Sequence, residues 1–173
     1  MIETPRLILR PWRDSDLPLF AEQNANSAVM RFLGSGVLTR EQSDAYAARA
    51  MAHLAEHGFC KWAVEAPGVA PFVCAVGLTR VGFEAAFTPA VEVAWRLHRR
   101  WWGRGYATEA AAIRDGFGRG GLEEVVAMTA LGNAASIGVM ERLGMKRSAE
   151  FDHPLHQEGS PLRRHVLYRL RRR

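Results

Sequence analysis

The chain has no apolar run near the roughly 18 residues that a membrane-spanning helix needs. Its opening stretch, MIETPRLILR, lacks the apolar segment of a signal peptide. Cysteine is scarce: Cys60 and Cys74 are the only two, and they form no C-x-x-C pair. With so few thiols the expectation is two reduced, small core residues rather than a disulfide. These absences together point to a cytoplasmic protein. No internal repeat, low-complexity segment or linker-like stretch is visible either. One compact domain over residues 1–173 is therefore expected.

What is present is ordinary for a globular protein: 48% hydrophobic and 24% charged residues. The formal net charge is +5, and much of the excess sits in the C-terminal LRRHVLYRLRRR. A basic end can meet RNA, but no basic–aromatic interleaving of an RNA-binding motif accompanies it. A strand with solvated arginines is the simpler expectation, with no membrane and no nucleic acid among the partners.

Pattern and punctuation give an order of elements. RLILRPW, from Arg6 to Trp12, alternates like a strand and stops at Pro11. Asp14 or Asp16 is placed to cap a short helix carrying Leu17 and Phe20, with Pro18 in its first turn. Thr39 and Gln42 have capping-box spacing ahead of an alanine-rich helix that Gly58 ends. Strands are expected over Phe59–Ala66, Phe72–Val81 and Val91–His98, the first two antiparallel across the turn APGVAP. Tyr106, Ala110, Ile113 and Phe117 make a helical stripe, closed by Gly118, Gly120 and Gly121. EVVAMTA, from Glu124 to Ala130, is a short buried strand. Asn133 caps a further helix with Ile137, Met140 and Leu143 on one side and Gly144 as its stop. KRSAEF and RRHVLYRL supply two last strands. The order β-α-α-β-β-β-α-β-α-β-β implies an α/β (α+β) mixed sheet flanked by helices.

One stretch breaks the helical economy. WWGRGYATEA places Gly103 and Gly105 at the mouth of the Tyr106 helix, although glycine costs about 1 kcal/mol against alanine inside one. A helix N-terminus leaves four backbone N–H groups unbonded and carries a partial positive charge, which suits an anion. Bare glycines let a phosphate approach that backbone, and Arg99, Arg100 and Arg104 add charge nearby. The loop is no Walker A motif, since no Gly-Lys-Ser/Thr closes it, and Thr108 stands where a dinucleotide fingerprint needs its third glycine.

Arg100-x-x-Gly103-x-Gly105 followed by YATEA resembles the Q/R-x-x-G-x-G/A motif of the GNAT acetyltransferase superfamily. VEVAWRLHRRWWGRGYATEAA and NAASIGVMERLGM together are similar to its RimJ/RimL-type branch. The resemblance implies the GNAT fold, a mixed, mostly antiparallel sheet with about four helices. It implies acetyl-CoA as co-substrate and no metal. Cofactor-binding residues carried over are Leu97, His98, Arg100, Trp101, Trp102, Gly103, Arg104, Gly105, Tyr106 and Ala107, joined by Asn133 and Ser136. The loop binds pyrophosphate, and the strand ending near Leu97 splays from its neighbour to pair with the pantetheine arm. The partners implied are acetyl-CoA and a primary amine, either a protein N-terminus or a small molecule; a non-catalytic CoA-binding module and a homodimer are left open.

Acetyl transfer to an amine needs a base, because amines are mostly protonated near neutral pH. By resemblance Glu92 is the base, directly or through water, and Ser136 contacts the CoA sulfur. Many relatives carry a tyrosine acid four residues after that serine; here the position is Met140, so protonation from that site is excluded. Tyr168 lies on the last strand without a placement. His53 and His57 match H-x-x-E-H, but the helix stops at Gly58 and no third ligand is evident, so a polar helix face is expected. His153 and His156 fall in the loop between the last two strands, which in this fold borders the acceptor pocket. Trp12, Phe32 and Trp62 are expected in the core, with the acceptor side as their other placement.

Overall fold

The computed structural model describes residues 1–110, 117–118 and 121–172. Its strands are β1 (Ile2–Glu3), β2 (Ile8–Arg10), β3 (Lys61–Ala66), β4 (Ala70–Arg80), β5 (Val91–Leu97), β6 (Glu124–Ala130), β7 (Lys146–Asp152) and β8 (Arg164–Arg171). Its described helices are α1 (Asp16–Asn24), α2 (Ser27–Met30), α3 (Arg40–His57), α4 (Tyr106–Ala110) and α5 (Ala134–Arg142), with a 3₁₀ turn at Arg99–Trp101. The eight strands form one sheet in the order β1-β2-β3-β4-β5-β6-β8-β7. Every pairing is antiparallel except β5 with β6, which is parallel.

Strand alternation sends side chains to two helical layers. On one face Ala63, Phe72 and Ala75 meet Trp12, Phe20, Ala47 and Ala50 beneath α1 and α3. Small strand residues leave room there for rings: Trp12 and Phe20 centroids lie 4.8 Å apart. On the other face Trp62, Val64, Cys74 and Val76 pack against Tyr106 and Ala110 of α4. Beyond β5, Val93, Val125, Ala127, Val166 and Tyr168 pack against Met140 of α5. Ile137 and Leu143 join that cluster, as their spacing implied.

The helix signals at Thr39 and Asn133 hold. Thr39 accepts from Gln42 N–H while Gln42 accepts from Thr39 N–H, and Gly58 closes α3 in the left-handed conformation. Asn133 accepts the Ser136 N–H. The signal at α1 is different. Its N-cap is Ser15 without a side-chain bond; Asp16 instead receives the Arg13 N–H at 2.8 Å and both terminal nitrogens of Arg10, at 2.7 and 2.9 Å. Arg10 is 2% exposed and Asp16 1%, so this bidentate pair is a buried clamp that outcompetes capping. The Ile113 position of the α4 stripe, and Gly120 of its stop, lie outside the described residues.

Cys60 and Cys74 are free and buried. Burial pushes the Cys60 thiol up to about 12 and raises that of Cys74 as well. Much of the basic C-terminus is neutralised locally: Arg169 and Arg171 both bond Glu124, Arg164 pairs with Glu150 and Asp152, and Arg172 pairs with Glu123.

Candidate active site

The sheet comes apart at β5 and β6. One parallel bridge joins them, Glu92 to Val126. At the two ends of the β4–β5 ladder, His98 N–H donates to Val73 O and Val81 N–H to Ala90 O. Alternation therefore spends the even-numbered backbone groups of β5 on β4 and turns those of Val93, Trp95 and Leu97 toward β6. Past the single bridge, the groups of Trp95 and Leu97 face a gap instead of a strand. The Leu97 carbonyl accepts from the Trp102 indole at 3.1 Å.

The gap runs into the glycine loop. Gly103 and Gly105 have φ of 75° and 79°, the left-handed region that a side chain resists. A Cβ on Gly103 would meet no atom of the described residues within 4 Å. Among the described residues, the N–H groups from Gly103 through Thr108 donate to no partner. They converge at the α4 entrance, a built anion cradle. The cradle is braced from the N-terminal segment. Glu109 takes bonds from the Thr4 hydroxyl at 2.7 Å and from Arg6 N–H and Nε at 2.8 and 2.6 Å, while Arg6 Nη1 donates to the Arg104 carbonyl. Arg104 and Arg100 lie over the Trp101 ring, at 5.0 and 5.9 Å.

Ser136 stands across the gap from β5. The Trp95 indole donates to its Oγ at 3.1 Å. Asn133, which caps α5, donates through Nδ2 to Thr129 at 2.8 Å. With a lone pair of Ser136 Oγ occupied by the indole, its own O–H is left to donate.

On the opposite face of β5, Glu92, Ala94 and Arg96 point the same way. They face Lys61 of β3 and Tyr46 of α3 over a floor formed by Gly77 and Ala94, since Lys61 is in register with Gly77 and Gly77 with Ala94. The Arg96 guanidinium lies 4.8 Å from the Tyr46 ring centroid and the Lys61 ammonium 5.5 Å from it. Arg96 Nη1 also donates to Asn24 at 2.7 Å. Burial pushes the Glu92 carboxyl above the usual carboxylate range, with Lys61 pulling it partly back. Burial would also raise the Tyr46 hydroxyl, but the charges of Lys61 and Arg96 outweigh it and hold that hydroxyl below its ordinary value. For Lys61 burial works downward, and Tyr46 and Glu92 overcome it, so the ammonium is retained.

A parted parallel strand pair, an unpaired amide loop and a serine over the gap lie along one continuous cleft. Residues 6–146 match the family model described as the acetyltransferase (GNAT) domain. The chain belongs to the GNAT acetyltransferase family. It is an acetyl-CoA-dependent N-acetyltransferase, similar to the uncharacterized N-acetyltransferase YnaD of Bacillus subtilis (strain 168), with 28% identity over 153 residues, 87% of this chain and 85% of YnaD. The crystal structure of a GNAT-family acetyltransferase from Bacillus anthracis superposes with a TM-score of 0.81 at 24% identity, covering 98% of this chain and 97% of the other. RimL, a ribosomal L7/L12 alpha-N-protein acetyltransferase solved with coenzyme A, superposes with a TM-score of 0.78 over 97% of this chain and 95% of its own; at 15% identity that likeness is one of fold.

Several side chains expected at the acetyltransferase's cofactor site are engaged elsewhere. His98 caps the 3₁₀ turn through Nδ1 and meets Glu22 through Nε2 at 3.2 Å. Arg100 also reaches Glu22, at 3.3 Å. Tyr106 is 6% exposed and belongs to the core. The unpaired polar groups of the loop are thus mainly those of its backbone. Met140 is 1% exposed in the core, and the Tyr168 hydroxyl is spent on Glu141 at 3.2 Å. In the H-x-x-E-H stretch, His53 Nε2 accepts from Arg80 N–H and Nδ1 faces the Phe59 carbonyl at 2.8 Å. Both nitrogens are occupied, which argues against a metal ligand there. Trp12 and Trp62 are core residues, on opposite faces of the sheet. His153 and His156 join His165 in a ring cluster, with centroids 4.7 to 5.5 Å apart, and His156 packs onto Gly34. Burial, then His165 and His156, lower His153 to about 4.

Sequence reasoning singled out Glu92 but not Lys61, Tyr46 and Arg96, which the structure places near it. Arg96 was within reach, being four residues along the same strand face. Tyr46 and Lys61 come from other elements and needed the register.

Proposed function

We propose that this acetyltransferase moves an acetyl group from acetyl-CoA to a primary amine by direct attack in a ternary complex, with residues 1–173 acting as one domain. The observation that supports it is the continuity of the β5–β6 gap with the unpaired N–H groups of Gly103 to Thr108. Those amides suit the pyrophosphate, and the free edge of Trp95 and Leu97 suits the amide groups of the pantetheine arm. Acetyl-CoA supplies the activated acyl group. Glu92, half-buried and with a raised pKa, takes the proton from the amine. Backbone N–H on the parted edge faces the oxygen on which negative charge develops. Ser136 O–H donates to the departing sulfur while the Trp95 indole holds its oxygen in place.

We assign the chain to the RimJ/RimL-type branch on its N-x-x-S sequence from Asn133 to Ser136, and the N-terminal amine of a ribosomal or other protein is the acceptor favoured by that assignment. A small amine is the second reading. The half-buried setting of Lys61, Glu92 and Arg96 favours it. The two cations argue against a polyamine.

The test is thiol release from acetyl-CoA against peptides, amino acids and polyamines. Release with an amine and a fall of about 10²-fold or more in turnover for Glu92→Gln, at unchanged acetyl-CoA affinity, are expected. Full activity of Glu92→Gln across about pH 6 to 9 would remove Glu92 as base. Binding of acetyl-CoA without thiol release to any amine would make the protein a CoA-binding module.

A further inference from the structure

The trough on the acceptor face of β5 holds two cations and one carboxylate. Among the described residues, neither Lys61 nor Arg96 has a carboxylate within ion-pair distance, and Glu92 has no cation within it. On the surface, Arg6, Arg13, Arg40, Arg147, Arg164 and Arg171 sit directly beside an acidic side chain. The trough instead sets two cations against the single carboxylate of Glu92, which attracts Lys61 from beyond ion-pair distance. Exposed pairs are worth little, whereas charge held in a half-buried concavity exerts its field on whatever enters.

The two cations are also held in place. Arg96 is fixed by its bond to Asn24 and by stacking on Tyr46, and further guanidinium N–H groups remain without a described partner. Lys61 extends over Gly77, which has no side chain, toward the same floor. Gln23, also on α1, donates to the Arg96 carbonyl at 2.9 Å, a second tie between α1 and this residue. Glu92 lies on the same strand face, four residues before Arg96. A base that accepts an amine proton therefore has fixed cations beside it, an arrangement complementary to an amine that carries an anion.

We infer that the trough recognises a carboxylate carried by the acceptor close to its amine, and that Lys61 and Arg96 hold it; this rests on the acetyl-transfer reading given above. Two sources share that chemistry: the α-carboxylate of a free amino acid, and the side-chain carboxylate of an acidic first residue in a peptide. A guanidinium is suited to either through parallel hydrogen bonds.

The experiment compares matched acceptors. Leucine is set against leucinamide, and Glu-Ala-Ala-amide against Gln-Ala-Ala-amide, in acetyl-CoA thiol release. At least one carboxylate member should exceed its carboxamide partner by about tenfold or more in kcat/KM, and the pair that shows it identifies the source. In Lys61→Met and Arg96→Gln that ratio should fall below about threefold, through KM, with acetyl-CoA affinity retained. Should Arg96→Gln fail to fold, Arg96→Lys and Lys61→Met carry the comparison, with Lys61→Arg as the control that keeps the cation beside Tyr46. Equal turnover of both members of each pair by the wild-type enzyme overturns the inference, as does an equal loss on both members in the variants. If no amine is acetylated, the acetyl-transfer reading fails on its own. Carboxylate recognition is then decided by NMR-detected binding of the same pairs to the CoA-loaded protein, preference for the carboxylate supporting it and equal binding overturning it.

Discussion

Gly103→Val separates the backbone conformation of the glycine loop from its use. Gly103 has φ of 75° and open space where a Cβ would stand. The substitution therefore meets no clash, only the left-handed strain of about 1–2 kcal/mol, at the upper end for a β-branched residue. In a domain of this size that lowers Tm by roughly 2–8 °C. Gly68, in the β3–β4 turn, has φ of 72° and equally open space. Gly68→Val should thus lose a similar amount of stability far from the cleft. Only Gly103→Val places a branched carbon over the amide cradle. Loss of one hydrogen bond to a charged group, about 1.5–3 kcal/mol, weakens acetyl-CoA binding roughly 10- to 150-fold. Isothermal titration with acetyl-CoA and thermal melts of both variants give the two numbers. Binding by Gly103→Val as tight as by Gly68→Val would refute the cradle.

Ser136→Ala should lower kcat by about tenfold or more with acetyl-CoA affinity held, read by single-turnover thiol release; an unchanged kcat would show that the sulfur leaves unaided. Arg10→Ala leaves Asp16 charged and buried without its partner, so denaturant melts should show about 3–5 kcal/mol lost. His153 is lowered to about 4 in the fold, so the unfolded chain binds its proton first. Its contribution to stability is complete above the ordinary histidine value of about 6.5 and is lost as pH falls from there toward about 4. Melts of His153→Phe should show a shallower acid slope than the parent; an identical slope would place the titration elsewhere.

Local signals carried the fold a long way. The capping box at Thr39, the left-handed stop at Gly58 and the cap at Asn133 depend on a few neighbouring residues, and all three stand in the structure. The glycine loop was legible for the same reason: its peculiarity is local. The cap expected of Asp14 or Asp16 falls to Ser15, and Asp16 is claimed by Arg10, whose strand pairing and burial no helix signal announces. The trough around Glu92 was half legible. Strand alternation puts Glu92 and Arg96 on one face, but Lys61 arrives through a register set by the β3–β4 pairing, and Tyr46 through the packing of α3. The Trp95–Ser136 bond joins residues 41 apart, and no pattern along the chain announces it. The sequence also suggested direct cofactor contacts for His98 and Arg100, whose side chains are drawn to Glu22, an acid on α1.

A sheet of eight strands held across its middle by one rung is two half-sheets leaning together. Each additional rung between them would tighten the scaffold and close the slot. On the reading proposed here, an extended guest lying along Trp95 and Leu97 restores the missing rungs for as long as it stays. Occupancy and mechanical unity then rise together: the loaded protein should melt as one block, and the empty one should yield first along that seam.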